Sequence, residues 1–313
     1  MWRMSDPLIP LLSRPLRGIM FKLASVLVFI IMQSLIKVVH VPAGETVFFR
    51  SAFAIPVIVV WLALQGQLAT GFGAKHPVDH IWRGLMGTVA MGLGFAGLSY
   101  LPLPEVTAIG YASPLLVVIL AAMFLGEKVR LFRMASVALG LLGVLIVLSP
   151  RLSVGPDTST REAFGAMLVL GGAVFAALAQ VFARKLVLTE TTTSIVFYFS
   201  LTSTALSLVT IPFGWVWPTP FETALLISCG ILGGTGQIFL MASYREADAS
   251  LVAPFDYASM IFSLGIGLFI FGEVPTLTML SGAALIILAG ILIIWRERYL
   301  GLERAKARRA MTP

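Results

Sequence analysis

The chain is poor in charge and in cysteine. Of its 313 residues, 12% are Asp, Glu, Lys or Arg and 58% are hydrophobic, and a soluble domain carries about twice that share of charge. The one cysteine, Cys229, excludes a disulfide within the chain, and no cluster of cysteines with metal-ligand spacing is possible. The sequence contains no Gly-Lys-Ser or Gly-Lys-Thr, so a phosphate-binding loop for ATP hydrolysis is not expected. No cofactor and no metal site are therefore predicted.

The hydrophobic residues form ten long runs. A helix needs about 20 apolar residues to cross the hydrocarbon core of a membrane, and a β-barrel would instead show short segments of strict alternation. The runs therefore predict an all-α membrane protein with ten transmembrane helices. The predicted segments are 18–39, 44–64, 81–101, 104–125, 131–149, 162–186, 193–213, 221–244, 248–272 and 276–296.

The basic residues predict the orientation of these helices. With the N-terminus in the cytoplasm, every Lys and Arg falls in or beside a cytoplasmic segment except Lys37, Arg50, Arg151 and Arg161. Cytoplasmic loops are enriched in Lys and Arg, so this bias predicts that both termini are cytoplasmic. The net charge of +7 then reflects membrane topology, and no nucleic-acid partner is predicted.

The chain also repeats itself. Tyr-Ala-Ser at 111–113 is followed 13 residues later by Gly-Glu at 126–127, and Tyr-Ala-Ser at 257–259 is followed at the same spacing by Gly-Glu at 272–273. A second set of matches lies upstream at equal spacing: Gly92, Phe95, Ser99 and Tyr100 correspond to Gly236, Phe239, Ser243 and Tyr244. A duplicated hydrophobic unit predicts a transporter built from two related halves with the substrate path between them.

A stretch rich in Pro, Gly and Ser marks the midpoint between the repeats. The predicted organisation is a cytoplasmic N-terminal segment (1–17), a first five-helix repeat (18–149), a linker (150–161), a second five-helix repeat (162–296) and a basic cytoplasmic tail (297–313). Because five is odd, the second repeat enters the membrane from the opposite face. The prediction is an inverted arrangement of five plus five helices.

Two helices rich in Pro and small residues carry a resemblance to a known family. The segments Glu105–Leu125 and Ser250–Phe271 are each followed by Gly-Glu and then by a final helix rich in Gly and Ala. In these features the chain resembles drug/metabolite transporters of the EamA-domain type, over about residues 18–296. The resemblance implies this fold and a transport function, in a superfamily that carries amino acids, nucleotide-like metabolites, vitamins, polyamines and drugs. Within it, the chain is similar to bacterial riboflavin importers and S-adenosylmethionine carriers.

Asp256 is the most informative charge in a predicted span. It lies about two turns into the ninth helix, where a short carboxylate cannot reach the interface and an ionised group is costly. Pro254 leaves the carbonyl of Ser250 without its helical donor. A free carbonyl beside a carboxylate predicts a site for a proton or cation, so Asp256 is the candidate coupling residue. The alternative is that it pairs with a basic residue such as Arg245 and holds helices together.

The other candidate site residues are one arginine and a set of deep polar groups. Arg50 lies about two turns inside the outer end of the second helix, where a guanidinium either binds an anionic or carbonyl-rich substrate or reaches back to the interface. Amides and tyrosines can bind the edge and faces of a heteroaromatic substrate, or bond helix to helix. The candidates of this kind are Gln33, Tyr111, Gln180, Gln237 and Tyr257.

Residues near the segment ends are assigned structural roles. Lys37 is interpreted as interfacial, and Glu105 as a carboxylate that favours the positive end of its helix. The two Gly-Glu pairs are predicted to cap helices. His76 and His80 are placed in a solvated cytoplasmic loop.

Together these patterns predict a secondary transporter of a small organic metabolite in the bacterial inner membrane, working by alternating access. Riboflavin uptake is the first hypothesis, and export or exchange of amino-acid-like metabolites such as S-adenosylmethionine is the second. The predicted partners are the substrate and the lipid bilayer, with a proton or cation as coupling ion and a homodimer as one oligomeric option. A membrane-embedded enzyme would need clustered acid-base residues at one depth, which Asp256 alone does not provide.

Overall fold

The structure, a computed structural model, describes residues 14–66, 68, 71–125, 131–152, 160–187, 189–247 and 249–311. Within these ranges every regular element is a helix, as the sequence predicts. The α-helices are α1 (Arg14–Val38), α2 (Ala43–Ala52), α3 (Ala54–Leu64), α4 (Pro77–Leu98), α5 (Leu103–Gly110), α6 (Ala112–Leu125), α7 (Leu131–Leu152), α8 (Thr160–Val187), α9 (Thr192–Leu208), α10 (Pro220–Glu246), α11 (Ala249–Val252), α12 (Ala258–Phe271) and α13 (Leu277–Met311). Two 3-10 turns cover Ile211–Phe213 and Ala253–Tyr257.

The ten predicted spans are confirmed over the described ranges. Nine helical stretches there are long and apolar enough to cross a membrane, and the shorter apolar helix Thr193–Leu208 provides a tenth. Large apolar side chains point outward from the bundle, with Trp217 100% and Phe269 86% exposed. Apolar exposure on this scale is expected of a surface that faces lipid.

Prolines divide spans that the sequence predicts as continuous. The second span is divided into α2 and α3 at Phe53, three residues before Pro56, and the fourth into α5 and α6 at Tyr111, three residues before Pro114. Proline lacks the N–H that would bond the carbonyl four residues earlier, so the helix changes direction there. The ninth span is divided in the same way, where the 3-10 turn that contains Pro254 separates α11 from α12.

Corresponding helices of the two halves pack antiparallel. On α7 and α13, a Cβ at Gly140 would lie 3.1 Å from the Cβ of Ala289, while a Cβ at Gly282 would lie 2.6 Å from Val147. Moving forward along α7 therefore means moving backward along α13. The fourth and ninth spans cross likewise, because Gly267 meets Pro104 at one end and the Tyr111 ring meets the Tyr257 ring further along. This antiparallel pairing confirms the inverted relation of the halves.

The remaining contacts obey the same pseudo-two-fold symmetry. The first span packs along the eighth, where the Ser25 hydroxyl donates to the Gly236 carbonyl at 2.8 Å. The symmetry-related pair is the third and sixth spans, where a Cβ at Gly97 would lie 2.2 Å from Val169. The substrate path is thus expected between half one (α1–α7) and half two (α8–α13).

The cap predicted for the second Gly-Glu pair is present. Gly272 ends α12 in the left-handed region with φ of 66°, and the N–H of Glu273 donates to the Gly267 carbonyl at 2.8 Å. Glycine adopts this φ without a steric cost, so it is suited to the position. The first pair, Gly126-Glu127, lies outside the described residues.

Candidate functional site

Two arginines meet at one aromatic ring in the middle of the bundle. The guanidinium carbon of Arg50 on α2 lies 5.6 Å from the centroid of the Phe199 ring on α9, and that of Arg83 on α4 lies 4.4 Å from it. Arg50 is seven residues into its span and Arg83 six residues into its own, from opposite faces of the membrane. At a rise of 1.5 Å per residue, both are about 10 Å deep. The cluster joins half one to half two, since Phe199 belongs to half two.

The described residues place no carboxylate within salt-bridge distance of either arginine. Arg50 is 5% exposed, and its buried Nε has no hydrogen-bond partner. The buried Nε and Nη1 of Arg83 also have none. A buried cation is normally paired, because desolvation is expensive and two like charges repel. The described part of the chain therefore offers at least three guanidinium N–H groups to an anionic ligand.

Glycines allow the neighbouring helices to pack closely around this cluster. A Cβ on Gly87 would lie 2.6 Å from the Phe199 ring, and one on Gly233 would lie 3.1 Å from Arg50 Nε and 3.3 Å from Met32 Sδ. Side chains larger than hydrogen at these positions would displace the ring or the guanidinium. These glycines of α4 and α10 thus let the helices approach closely and shape the walls around the arginines.

A second cluster lies where the fourth and ninth spans cross. Asp256 in the 3-10 turn forms a 2.7 Å ion pair with Lys22 of α1, whose side chain is 2% exposed, while that of Asp256 is 51% exposed. The Tyr111 hydroxyl donates to the carbonyls of Asp256 and Tyr257, both at 3.4 Å, and also contacts the Ser259 hydroxyl. Lys22, which the sequence places among cytoplasmic charges, is therefore the partner of Asp256. The side chain of Arg245 lies outside the described residues.

The two tyrosines of the repeat lie together, as their symmetry requires. Their ring centroids are 5.1 Å apart at an interplanar angle of 66°, an edge-to-face arrangement. The Tyr257 hydroxyl packs against Gly290 of α13, where a Cβ would lie 1.5 Å from it. The tyrosines, Asp256 and Lys22 thus form one continuous group.

The three glutamines do not converge on this group. Gln180 is exposed on α8 and donates to the Ser113 hydroxyl at 3.0 Å. Gln237 on α10 is half-buried beside Ile58 and Met241, between different spans. Gln33 is half-buried on α1. The structure therefore does not assemble the glutamines and tyrosines around one centre, and a role for the glutamines in substrate binding stays a prediction.

Ion pairs join the two halves at the predicted outer end. Lys37 of α1 pairs with Glu273 at 2.5 Å and donates to the Leu101 carbonyl at 2.7 Å, while Glu273 accepts from the Leu103 N–H at 2.9 Å. Arg151 of α7 pairs with Glu105 at 2.8 Å and contacts Glu162 of half two. Lys37 is thus an ion-pair partner in addition to an interfacial residue.

Loops join the halves at the predicted cytoplasmic end. The backbone N–H of His76 donates to the Glu190 carboxylate at 2.8 Å, and that of Lys75 donates to the same oxygen. The Tyr198 hydroxyl donates to the Phe72 carbonyl at 2.8 Å. Burial would raise the pKa of Glu190, but the hydrogen bonds from His76 and Lys75 outweigh it, and the pKa lies below its usual value. Glu190 is therefore ionised at neutral pH.

Three residues of these clusters escaped the sequence analysis. His80, placed there in a solvated loop, is within α4 and 3% exposed, so that prediction was wrong. Arg83 was counted as a cytoplasmic charge because basic residues near helix ends usually reach the interface. Phe199 carried no signal in an apolar helix. The i, i+3 spacing of His80 and Arg83 was the one available hint that they share a helix face.

The sequence of the chain matches a known family twice. The EamA-like transporter family matches residues 16–149 and, a second time, residues 163–295. The chain belongs to the EamA-like transporter family. It is a multi-pass membrane protein with two copies of the family's repeat, and the transport function expected from the sequence is confirmed at that level. The domain boundaries drawn from the sequence stay predictions.

The names of relatives within this family state different substrates. The chain is 31% identical over 280 residues to the pseudopaline exporter of Pseudomonas aeruginosa, covering 88% of this chain and 94% of that one. It is 31% identical over 254 residues to the S-adenosylmethionine uptake transporter of Rickettsia bellii, covering 81% and 84%. It is 27% identical over 297 residues to the riboflavin transporter of Vibrio cholerae, covering 93% and 97%.

A solved structure supports the fold. A crystal structure with 22% sequence identity superimposes with a TM-score of 0.63 over 90% of this chain and 98% of that one. At this identity the likeness concerns the fold alone. Among the described residues, no group of three or more His, Cys, Asp or Glu side chains is placed to hold a metal ion.

Proposed function

We propose that this chain is a secondary transporter that carries a small, carboxylate-bearing organic metabolite across the bacterial cytoplasmic membrane by alternating access. The observation that carries the proposal is the pair Arg50 and Arg83. Their guanidinium groups lie on one Phe199 ring, and their buried N–H groups find no partner among the described residues. The two arginines of half one meet Phe199 of half two about 10 Å inside the bilayer, and transporters of inverted repeats bind substrate between their halves.

The chemistry of the pair supports an anion. Two guanidinium groups without counter-charges repel each other and are costly to bury. A carboxylate accepts bidentate, charge-assisted hydrogen bonds from guanidinium, each worth about 1.5–3 kcal/mol. Binding of a carboxylate would therefore relieve the repulsion and satisfy the unpaired donors at once. A neutral ligand would leave the charges uncompensated.

S-adenosylmethionine is the first substrate that this reasoning selects. It carries an α-carboxylate for the arginines and an adenine ring for an aromatic wall such as Phe199, and its ammonium and sulfonium groups would have to lie away from the guanidinium groups. Relatives at 30–31% identity bear its name, which supports the choice. Riboflavin, the first hypothesis from the sequence, stays the second candidate. The relative of 27% identity named for it and the Tyr111–Tyr257 pair support it, but it lacks a carboxylate.

The contacts at the two ends supply the alternating gates of the proposed cycle. Lys37–Glu273 and Arg151–Glu162 would separate when the path opens outward. The bonds of Glu190 to the loop before α4 would separate when it opens inward. Substrate bound at the arginines contacts both halves, so its binding energy favours the states in which the halves are close.

Counterflow in proteoliposomes tests the substrate class. Liposomes that contain the purified chain are loaded with unlabelled S-adenosylmethionine, and entry of the radiolabelled compound is followed without any ion gradient. We expect exchange that is inhibited by excess S-adenosylmethionine and by other amino-acid carboxylates, and weakly by riboflavin. Exchange of riboflavin alone, with no effect of carboxylates, would overturn the carboxylate proposal in favour of the second candidate.

A further inference from the structure

His80 is a buried histidine with a charged neighbour. Its side chain is 2% exposed, and its Nε2 lies 3.7 Å from the Glu190 carboxylate. Neither ring nitrogen has a hydrogen-bond partner in the part of the chain that the structure describes. Its ring stacks at 4.9 Å on that of Tyr198. An unperturbed imidazole changes charge between pH 5 and 8, so this residue has the chemistry of a physiological proton acceptor.

The position of His80 connects it to the arginine pair. His80 and Arg83 are three residues apart on α4 and share a face of that helix. They pack against consecutive residues of α9, since His80 contacts Tyr198 and Arg83 contacts Phe199. A proton on His80 would therefore lie one helical turn from the guanidinium that we assign to the substrate.

The charged groups around His80 belong to several elements: its own helix α4, α8, the loop between α8 and α9, and α2. Arg83 and Asp79 belong to its own helix, and Asp79 is itself paired with Lys185 of α8 at 3.0 Å. Glu190 approaches from the loop between α8 and α9, and Arg50 lies beyond Phe199 on α2. Tyr198 contributes a neutral ring. Glu190 and Asp79 thus favour a proton on His80, while burial of the ring and the charge of Arg83 oppose it.

We propose that His80, facing Glu190, is the proton-binding site that couples proton movement to transport of the carboxylate-bearing substrate; this inference rests on the proposed function. A substrate carboxylate at Arg50 and Arg83 offsets the arginine charge that opposes protonation, so the carboxylate and the proton bind better together than apart. The proton passes from the cytoplasmic or outer solution to the free imidazole nitrogen and leaves when the substrate leaves. By reciprocity, a proton on His80 strengthens substrate binding by the same factor.

The assignment differs from the one that the sequence favoured. Asp256 remains the other candidate for coupling, but it already has a 2.7 Å partner in Lys22, and half of its side chain is exposed. His80 lies between the halves beside a carboxylate that bonds the opposing loop. Protonation would convert the 3.7 Å approach of His80 and Glu190 into an ion pair across the cytoplasmic gate.

A titration of the purified chain tests the site without any substrate. The chain has three histidines, so ring-labelled histidine gives few NMR signals, and His80→Gln assigns one of them. We expect the His80 signal to titrate between pH 5 and 8, with a midpoint that falls in Glu190→Gln. The matched control, His76→Gln, removes an exposed histidine four residues away and should leave that midpoint unchanged. A His80 signal that is constant over this range, or indifferent to Glu190→Gln, would overturn the proposal.

Transport of radiolabelled S-adenosylmethionine tests the coupling. With one proton per substrate and the membrane potential clamped, an outside solution one pH unit more acidic supports up to about tenfold accumulation. We expect His80→Gln to abolish this accumulation while it retains gradient-free exchange, and His76→Gln to keep the pH-driven component. Wild-type exchange that ignores the pH gradient would refute the coupling and leave the transport function standing. A lack of exchange would instead refute the proposed substrate.

Discussion

Two groups of buried charge lie in the bundle, and they differ in how the charge is satisfied. In the first, Lys22 of half one meets Asp256 of half two at 2.7 Å. In the second, Arg50 and Arg83 share the Phe199 ring, and no carboxylate among the described residues lies within salt-bridge distance. Both groups cross between the halves, but only one is neutral as a unit.

This difference indicates two roles for buried charge: the ion pair stabilises the fold, whereas the arginines are available to bind a ligand. A paired lysine contributes to the native state, and loss of its carboxylate leaves a buried cation. Unpaired arginines cost stability, and proteins keep such costs at sites where function requires them. Variants of the arginine pair should therefore reduce transport and raise stability. Variants of the Lys22–Asp256 pair should instead lower stability.

The largest effect is expected at the arginine pair. Arg50→Gln and Arg83→Gln each remove charge-assisted bonds worth about 1.5–3 kcal/mol, so exchange of S-adenosylmethionine should fall roughly 10- to 100-fold. The same variants should raise the thermal unfolding temperature without substrate, because a repulsive buried charge is gone. Arg17→Gln, at an arginine paired with Glu246 at 3.0 Å, is the control and should leave exchange unchanged. Loss of stability without loss of exchange would reverse our interpretation of the pair.

A smaller, opposite effect is expected at the paired group. Asp256→Asn leaves the Lys22 ammonium without this carboxylate, and we expect a destabilisation of about 2 kcal/mol. A fully buried pair would lose about 3–5 kcal/mol, and half of the Asp256 side chain is exposed. A double-mutant cycle with Lys22→Met, followed by thermal unfolding in detergent, measures the coupling. If the two single losses simply add, the ion pair contributes nothing to stability.

The packing of Tyr257 provides a third test. A Cβ at Gly290 would lie 1.5 Å from the Tyr257 hydroxyl, so Gly290→Ala must displace that ring, at about 1–3 kcal/mol. Gly94→Ala is a suitable control, because no described atom outside its own helical turn lies within 4 Å of its Cβ position and the substitution favours the helix. Unfolding temperatures and the KM for exchange should both change at Gly290 alone. An unchanged KM at a lowered unfolding temperature would limit Tyr257 to a structural role.

The smallest effect is expected from one hydroxyl. Tyr111→Phe removes the bonds to the carbonyls of Asp256 and Tyr257, which costs about 1 kcal/mol for a neutral hydrogen bond. The ring contact with Tyr257 is retained. Thermal unfolding should therefore detect a small decrease, and exchange should stay near the wild-type rate. A large loss of exchange would place the hydroxyl in contact with substrate.

Much of the fold could be predicted from the amino-acid sequence. The ten apolar runs, the Tyr-Ala-Ser repeat and the odd helix number predict the inverted bundle, because span length and insertion are local properties of the chain. Pro254 was recognised as the source of a free carbonyl, but the resulting division of the ninth span at Ala253–Tyr257 was not. A proline's effect depends on how the neighbouring helices pack, and here the Tyr111 hydroxyl donates to the carbonyls of Asp256 and Tyr257 within the turn that contains Pro254.

The site was less predictable than the fold. Arg50 and Asp256 stand out in apolar sequence, whereas Arg83 and His80 near a helix end look like solvated residues. Hydrophobicity, duplication and charge bias are properties of the sequence. The sequence by itself therefore determined the helices, their repeat and the family. The partner of each charge depends on which helices touch, and only the tertiary structure decided that Lys22 meets Asp256 and that two arginines converge on Phe199. The physical reason is that a buried charge is balanced through space, by groups more than 100 residues away in the chain.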